Sequence, residues 1–312
     1  MWTQVLLPFR VIINFSFAAL ATAVIGFIVI LIGLPKILLP FPPVQRALST
    51  LANSVFRLWG YAMSMLFRLT QPVRWHIQGD SELHRDRWYM ILCNHQSWVD
   101  IPVLMHLASR NMPMPRFFLK QELFWVPVIG LGCWTLDMPF MKRYSREKIE
   151  RNPELQGKDI ATTQKKCEKF RHIPTTVINF CEGTRFTAEK HARKRSEFQH
   201  LLPPKAGGTA FTLQTMGNQF DAILDITIVY PHSSKSTVWA LLTGQLRDVY
   251  VNVETVPVTE DLIGSYFEDA LFKAHFQNWL NSRWHRKDKV IGGLREQAGQ
   301  PPSVTMDYCS SK

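Results

Sequence analysis

Acidic side chains are missing from the start of this chain: none occurs before Asp80, whereas Arg10, Lys36, Arg46, Arg57, Arg68 and Arg74 all do. Such a segment suits an anionic leaflet. Over the whole chain 36 Lys and Arg face 25 Asp and Glu, a formal charge of +11, so the partner is nucleic acid, an acidic membrane surface or an acidic substrate. No zinc finger, helix-turn-helix or RNP signature is present, which argues against nucleic acid. Cysteine is scarce too: Cys93, Cys133, Cys167, Cys181 and Cys309 are scattered, without a C-x-x-C pair. That excludes a disulfide framework and a zinc site, fits a reducing compartment, and leaves no metal expected. There is no repeat of fixed period and no low-complexity linker. With 46% apolar and 20% charged residues over 312 positions, the chain suits one buried core with an appendage.

What is present begins with a long hydrophobic run. Val11 to Pro35 holds 25 residues without a charge, between Arg10 and Lys36. At about 1.5 Å per residue it is long enough for a hydrocarbon core of about 30 Å. Its small-residue Ala21-Thr22-Ala23 site lies inside the run, which favours an anchor over a cleaved signal peptide. Pro35, Pro40, Pro42 and Pro43 then break the helix, so the run either spans or re-enters as half of a hairpin. Val44–Leu69 carries Arg46, Arg57 and Arg68 at eleven-residue spacing, which predicts one basic face of an amphipathic, interfacial helix. Basic residues are richer after the run than before it, placing the bulk of the chain in the cytoplasm.

From Gln71 onward strand-like runs alternate with helical stretches. VRWHIQG, WYMILCN, RFFLK, TTVINF, LDITIVY, STVWALL and VYVNVET read as strands. IPVLMHLASR, QELFWVPVIGLGCW, DIATTQKKCEKFRH and the stretch LIGSYFEDALFKAHFQNWLNSRWHRKDK read as helices. The expected fold is α/β: a mixed sheet flanked by helices, with an N-terminal hydrophobic helical anchor. Its parts are an anchoring segment over 1–70, a domain over 71–299 that includes the basic and aromatic C-terminal helix, and a flexible tail over 300–312. The aromatics of that last helix suit core packing or interfacial anchoring.

Strand WYMILC runs straight into Asn94-His95-Gln96-Ser97-Trp98-Val99-Asp100, and Ile101-Pro102 opens a helix. With His95 in the turn and Asp100 at the helix start, the two side chains can converge. The carboxylate then fixes the imidazole tautomer and leaves the other nitrogen free to take a proton. An equally common arrangement has Asp100 capping the helix and His95 as an ordinary turn residue. Three further sites bear on that choice: Cys181-Glu182-Gly183-Thr184-Arg185 at a strand's carboxyl end, Phe140-Met141-Lys142-Arg143, and Leu202-Pro203-Pro204-Lys205.

In order and spacing these four blocks resemble the motifs of the 1-acylglycerol-3-phosphate acyltransferase (PlsC-like) family. FFLKQELFWVPVIGLGCW, LDMPFMKRYSR and INFCEGTRFTAEKH look closest to its YihG-type bacterial branch and to the eukaryotic lysophosphatidic acid and lysocardiolipin acyltransferases. The resemblance covers nearly the whole chain. It departs where many members read Ile-Asp-Arg and this chain reads Met141-Lys142-Arg143.

The resemblance implies an acyltransferase at the bacterial inner (cytoplasmic) membrane, with its catalytic domain on the cytoplasmic side. It would move a fatty acyl group from acyl-coenzyme A or acyl carrier protein, as co-substrate and not cofactor, to the sn-2 hydroxyl of 1-acyl-glycerol-3-phosphate or a related lysophospholipid. His95 is then the general base and Asp100 its orienting partner, with direct attack and no acyl-enzyme. Arg143, Glu182, Gly183, Thr184 and Arg185 form the phosphate-binding set, with Arg143 and Arg185 as bidentate clamps. Lys120, or backbone N–H groups at the opening of the 101 helix, meets the oxyanion, and Lys142 and Lys205 add charge. The expected partners are an anionic phospholipid membrane, the lysophospholipid acceptor and the acyl thioester, with no nucleic acid. Other acceptors (glycerol-3-phosphate, lysocardiolipin, a lyso-amino-lipid) and a non-catalytic lipid-binding protein are the alternatives.

Overall fold

The computed structural model describes residues 7–70, 73–79, 83–126, 128–141, 164–165, 167, 170, 173–231 and 237–299. The apolar run folds as α1 (Leu7–Leu38), and α2 (Pro42–Thr70) follows a three-residue break. Pro42 and Pro43 sit in the first turn of α2, where no N–H is needed. The domain then runs β1 (Arg74–Gly79), β2 (Tyr89–Cys93), α3 (Asp100–Asn111), β3 (Pro115–Arg116), β4 (Leu119–Lys120) and a 3-10 turn (Gln121–Trp125). It continues through α4 (Ile129–Thr135), β5 (Phe140–Met141), β6 (Thr176–Phe180), α5 (Ala188–Arg193), α6 (Ala206–Met216), β7 (Ala222–Val229), α7 (Thr237–Thr243), β8 (Asp248–Val256) and α8 (Ala270–Gln297).

The main sheet is mixed, in the order β1-β8-β7-β2-β6-β3, and only β7 and β8 pair antiparallel. All five residues of β2 are buried because both faces of the sheet are covered. Met90 and Leu92 point into a core with Phe276, Leu280 and Trp284 of α8, while Tyr89, Ile91 and Cys93 face Val103, Leu104 and Ala108 of α3. The helix–sheet alternation thus buries β2, β6 and β7 side by side and brings their carboxyl ends together.

Four local expectations are corrected. STVWALL is the helix α7: a seven-residue apolar run has no period that separates strand from helix. RFFLK is split between two sheets, with β3 against β6 and β4 against β5, because Arg116 turns inward to donate to Thr175 Oγ1 at 2.7 Å. The helix expected over 121–134 is a 3-10 turn followed by α4, consistent with a proline in its middle and with Val128 at φ 68°. The arginines of α2 share one side of the helix, as their spacing predicts, but that side is not outward along its whole length. Arg46 and Arg68 are exposed, whereas Arg57 donates to the carbonyls of Ala108 (3.1 Å), Ser109 (3.3 Å) and Met112 (3.2 Å), filling acceptors that the end of α3 leaves open. The helix expected over 159–172 lies largely outside the described residues, and the tail 300–312 wholly so.

Helix α1 is fastened to the domain at both ends. Near its start Asn14 Nδ2 donates to Leu242 O of α7 at 2.9 Å. Near its end Lys36 Nζ donates to Thr135 O (3.0 Å) and pairs with Asp137 Oδ1 (2.9 Å), all buried. Gly33 permits this approach, since a Cβ there would lie 2.1 Å from Thr135 Oγ1. Asn14 and Lys36 are about 33 Å apart along the helix at 1.5 Å per residue. Phe9, Ile12, Ile13, Phe15, Leu20 and Phe27 face outward.

Candidate active site

The turn after β2 is held by its neighbours. Asn94, fully buried, continues the β2–β7 pairing with its side chain: Nδ2 donates to Ile228 O and Oδ1 accepts from Ile228 N, both at 2.9 Å. The next residue, His95, is thereby held at the carboxyl edge of the sheet, its ring stacked on Phe180 at 4.1 Å. Asp100, the first residue of α3, is fully buried and turns back into the loop. Its Oδ2 accepts from His95 Nδ1 (2.8 Å), Gln96 N (2.7 Å) and Ser97 N (2.9 Å). A capping side chain would instead accept from N–H groups further along the helix, and none does so here. Because an ionised carboxylate only accepts, Nδ1 carries the proton and Nε2 presents its lone pair.

Sequence reasoning did not single out Tyr230. It follows β7, and its hydroxyl donates to Asp100 Oδ1 at 2.8 Å. Burial pushes that phenol well above its ordinary value, so it is a fixed donor. His95, Asp100 and Tyr230 thus form one chain of hydrogen bonds across neighbouring strand ends. The separation of 130 positions between Asp100 and Tyr230 hides the contact from any local motif.

Glu182 follows β6 and is fully buried. Oε1 accepts from His95 N (3.0 Å) and Oε2 from Leu202 N (3.1 Å). Both oxygens are therefore spent on joining the His95 turn to the Leu202-Pro203-Pro204 loop. Burial pushes its carboxyl up to about 8, against the lowering effect of the two donors.

Gly183, at φ 65°, lets the chain turn, and the Lys205 side chain lies across it, 3.1 Å from where a Cβ would be. Arg185 is exposed and stacks over the Trp98 ring at 4.6 Å, leaving its edge donors open. Lys190, a second residue that sequence reasoning missed, donates to Thr184 Oγ1 (2.8 Å) and Arg185 O (3.0 Å). It is placed by the Thr187 cap of α5, which accepts from Lys190 N at 3.2 Å. Lys194 is pushed below its usual value by partial burial and by repulsion from Lys205, Lys190 and Arg193. Cations therefore gather on the Glu182–Arg185 turn beside His95. The basic run His191-Ala192-Arg193-Lys194-Arg195 was the available signal.

Most backbone N–H groups at the opening of α3 are engaged, which narrows the expected oxyanion donors there to that of Trp98. Those of Gln96, Ser97, Val99, Asp100 and Ile101 are all used within the turn. Cys93 is fully buried, and burial pushes its thiol well above the ordinary range. Ser97 Oγ accepts from Val99 N. Lys142 and Arg143 lie outside the described residues. The Lys120 backbone pairs with Met141, immediately before them. A cavity of about 200 Å³ opens beside Phe180, lined by Phe117, Phe118, Ile178 and Asn179 on one side and by Gly208 and Thr212 of α6 on the other.

The chain is 26% identical over 214 residues to the 1-acyl-sn-glycerol-3-phosphate acyltransferase delta of Bos taurus, covering 64% of this chain and 51% of that one. It is 30% identical over 230 residues to lysocardiolipin acyltransferase 1 of Gallus gallus, covering 69% and 56%. It is 25% identical over 240 residues to the 2-acyl-1-lysophosphatidylinositol acyltransferase of Saccharomyces cerevisiae, covering 64% and 59%. The chain therefore spans between half and three-fifths of the curated relatives it matches. The fold is shared with the crystal structure of the 1-acyl-sn-glycerophosphate acyltransferase PlsC from Thermotoga maritima, at a TM-score of 0.51 and 17% identity over 97% of this chain and 100% of that one. The profile described as Acyltransferase matches residues 74–233, from β1 to just past Tyr230, and the chain accordingly belongs to the acyltransferase family.

Proposed function

We propose that this protein is a membrane-bound O-acyltransferase that moves a fatty acyl group from an acyl-coenzyme A or acyl carrier protein thioester to the free hydroxyl of a lysophospholipid. The observation that carries this reading is the 2.8 Å contact from His95 Nδ1 to Asp100 Oδ2, which leaves Nε2 as a base at an open, cation-rich edge. The acceptor hydroxyl gives its proton to Nε2 as its oxygen bonds to the thioester carbonyl carbon. The C–S bond then breaks, and the imidazolium returns the proton to the departing thiolate. No acyl-enzyme is needed, and the burial of Cys93 supports direct attack. In this reading Arg185 and Arg143 hold the phosphate, with Lys120, Lys142, Lys190 and Lys205 adding charge around the oxyanion and phosphate. Gly183 and Thr184 shape the turn, and Glu182 holds it to the His95 loop.

The first acceptor to consider is 1-acylglycerol-3-phosphate, after the bovine relative's name. The avian lysocardiolipin acyltransferase and the extra cation at Lys142 favour a lysocardiolipin-type phosphate as the second. The chain is further assigned to the YihG-type branch, acting at the cytoplasmic face of a bacterial inner membrane. Helix α1 is 32 residues long and strongly apolar. Its fastening at Asn14 and Lys36 fits a helix embedded along one leaflet better than one that crosses the bilayer. Purified membranes, incubated with labelled acyl thioester and a panel of lysophospholipids, test the assignment. A labelled diacyl product on a phosphate-bearing acceptor is expected, and its absence with every acceptor and both donors would overturn the reading.

A further inference from the structure

Between α1 and the active site the molecule carries a second apolar projection. The 3-10 turn and the start of α4 expose Trp125 (79%), Val128 (66%) and Ile129 (53%), with Phe124 and Val126 partly exposed beside them. No charged residue occurs from Leu123 to Trp134. The projection is also stiff. Gly130 N donates to Val126 O at 2.8 Å, and a Cβ on Gly130 would lie 1.9 Å from Phe124 O, so the turn folds tightly onto α4. Phe124 is braced edge-on against Phe140 at 5.4 Å. Val128 stands at φ 68°, a strained position for a β-branched residue that persists where surrounding structure enforces it. A rigid, strained turn that holds large apolar side chains outward does not serve the domain's own core.

Its position says what covers it. Helix α4, which begins at Ile129, is the element that packs on α1 through Thr135 against Gly33, so the projection continues the outward apolar surface of α1. Strand β3 runs parallel to β6, so the chain leaves it toward the carboxyl edge of the sheet, the edge that carries His95. On its way to the turn the chain passes the cavity at Phe180, which Phe117 and Phe118 line, and His95 stacks on the Phe180 ring.

We propose that the apolar side chains of Phe124, Trp125, Val126, Val128 and Ile129 form a second membrane-inserting element, which docks the mouth of the active site onto the leaflet that holds α1. An indole at a lipid–water boundary buries its ring and keeps its N–H wet, which suits Trp125 at the tip. The role rests on the reading of α1 as a membrane helix. The acceptor and the acylated product are lipids, so a mouth held against the bilayer lets both exchange without crossing water.

The test uses the full chain in vesicles of phosphatidylethanolamine and phosphatidylglycerol, with Cys133→Ala and Cys309→Ser as labelling background. A fluorophore is placed at Trp125→Cys or at Leu20→Cys, and quenching by brominated lipid is measured. Quenching at both positions is expected. Quenching at Leu20→Cys alone would overturn the tip while leaving α1 in the membrane, and quenching at neither would overturn both. Independently, Trp125→Gln with Val128→Asn keeps a residue that tolerates positive φ. It is expected to weaken vesicle binding about tenfold, the effect of losing apolar burial at one or two side chains. It is also expected to slow turnover of vesicle-embedded acceptor and leave turnover of a water-soluble short-chain acceptor unchanged. An equal loss on both acceptors in a normally melting variant would contradict the proposal.

Discussion

The Tyr230 hydroxyl donates to Asp100 Oδ1 at 2.8 Å, on the oxygen opposite the one that holds His95. The phenol therefore fixes the carboxylate from the side away from the imidazole. In Tyr230→Phe the ring stays and the donor is lost, leaving Asp100 held less firmly against His95. The kcat should fall by about tenfold with KM little changed, the pattern of a lost positioning contact. A lower melting temperature with an unchanged kcat would reduce Tyr230 to a packing role.

Glu182 makes stability depend on pH in a stated direction. Burial raises its carboxyl from its ordinary 4.5 to about 8, so between those values the folded chain holds a proton that the unfolded chain has lost. Stability from this group is complete below about 4.5 and is lost as pH rises through about 8. In Glu182→Gln no proton is exchanged, so this part of the decline in melting temperature should disappear. The variant should also lose activity, because the amide nitrogen cannot accept from His95 N or Leu202 N. A wild-type-like pH slope in the variant would contradict the assignment.

Arg185 holds its guanidinium carbon 4.6 Å from the centre of the Trp98 ring. Lysine keeps the charge and loses both the stack and the planar pair of donors. Arg185→Lys should raise KM for a phosphate-bearing acceptor roughly tenfold with a smaller effect on kcat, as expected for a charge-assisted bidentate contact worth about 1.5–3 kcal/mol. An unchanged KM would remove Arg185 from the phosphate site.

The two ties on α1 bear on topology. Cysteines at Arg10, near the start of α1, and at Arg46, in α2 just beyond its end, should react with an impermeant thiol reagent from the same side of sealed membranes, because both ends of α1 meet the domain. Labelling from opposite sides would show that the helix crosses.

Local chemistry made much of this legible in advance. The β-rich run into Asn94-His95 and the proline at the start of α3 fixed where the turn lies, and the glycine at 183 marked the second turn. The missing parts depend on tertiary neighbours. Arg57 has the spacing of an outward arginine, yet the open carbonyls of α3 draw it in. Glu182 reads as a site carboxylate, yet burial spends both its oxygens on backbone N–H groups. Tyr230 touches Asp100 only because β7 lies beside β2. The α7 run carries no period that would place a helix there to receive Asn14.

Replacement of His95 by alanine probes the account most directly. In membranes given saturating acyl thioester and the preferred lysophospholipid, His95→Ala should lose on the order of 10²- to 10⁴-fold in turnover while binding the acceptor with near-native affinity. Turnover within twofold of wild type in a correctly folded His95→Ala protein would contradict the assignment of the base.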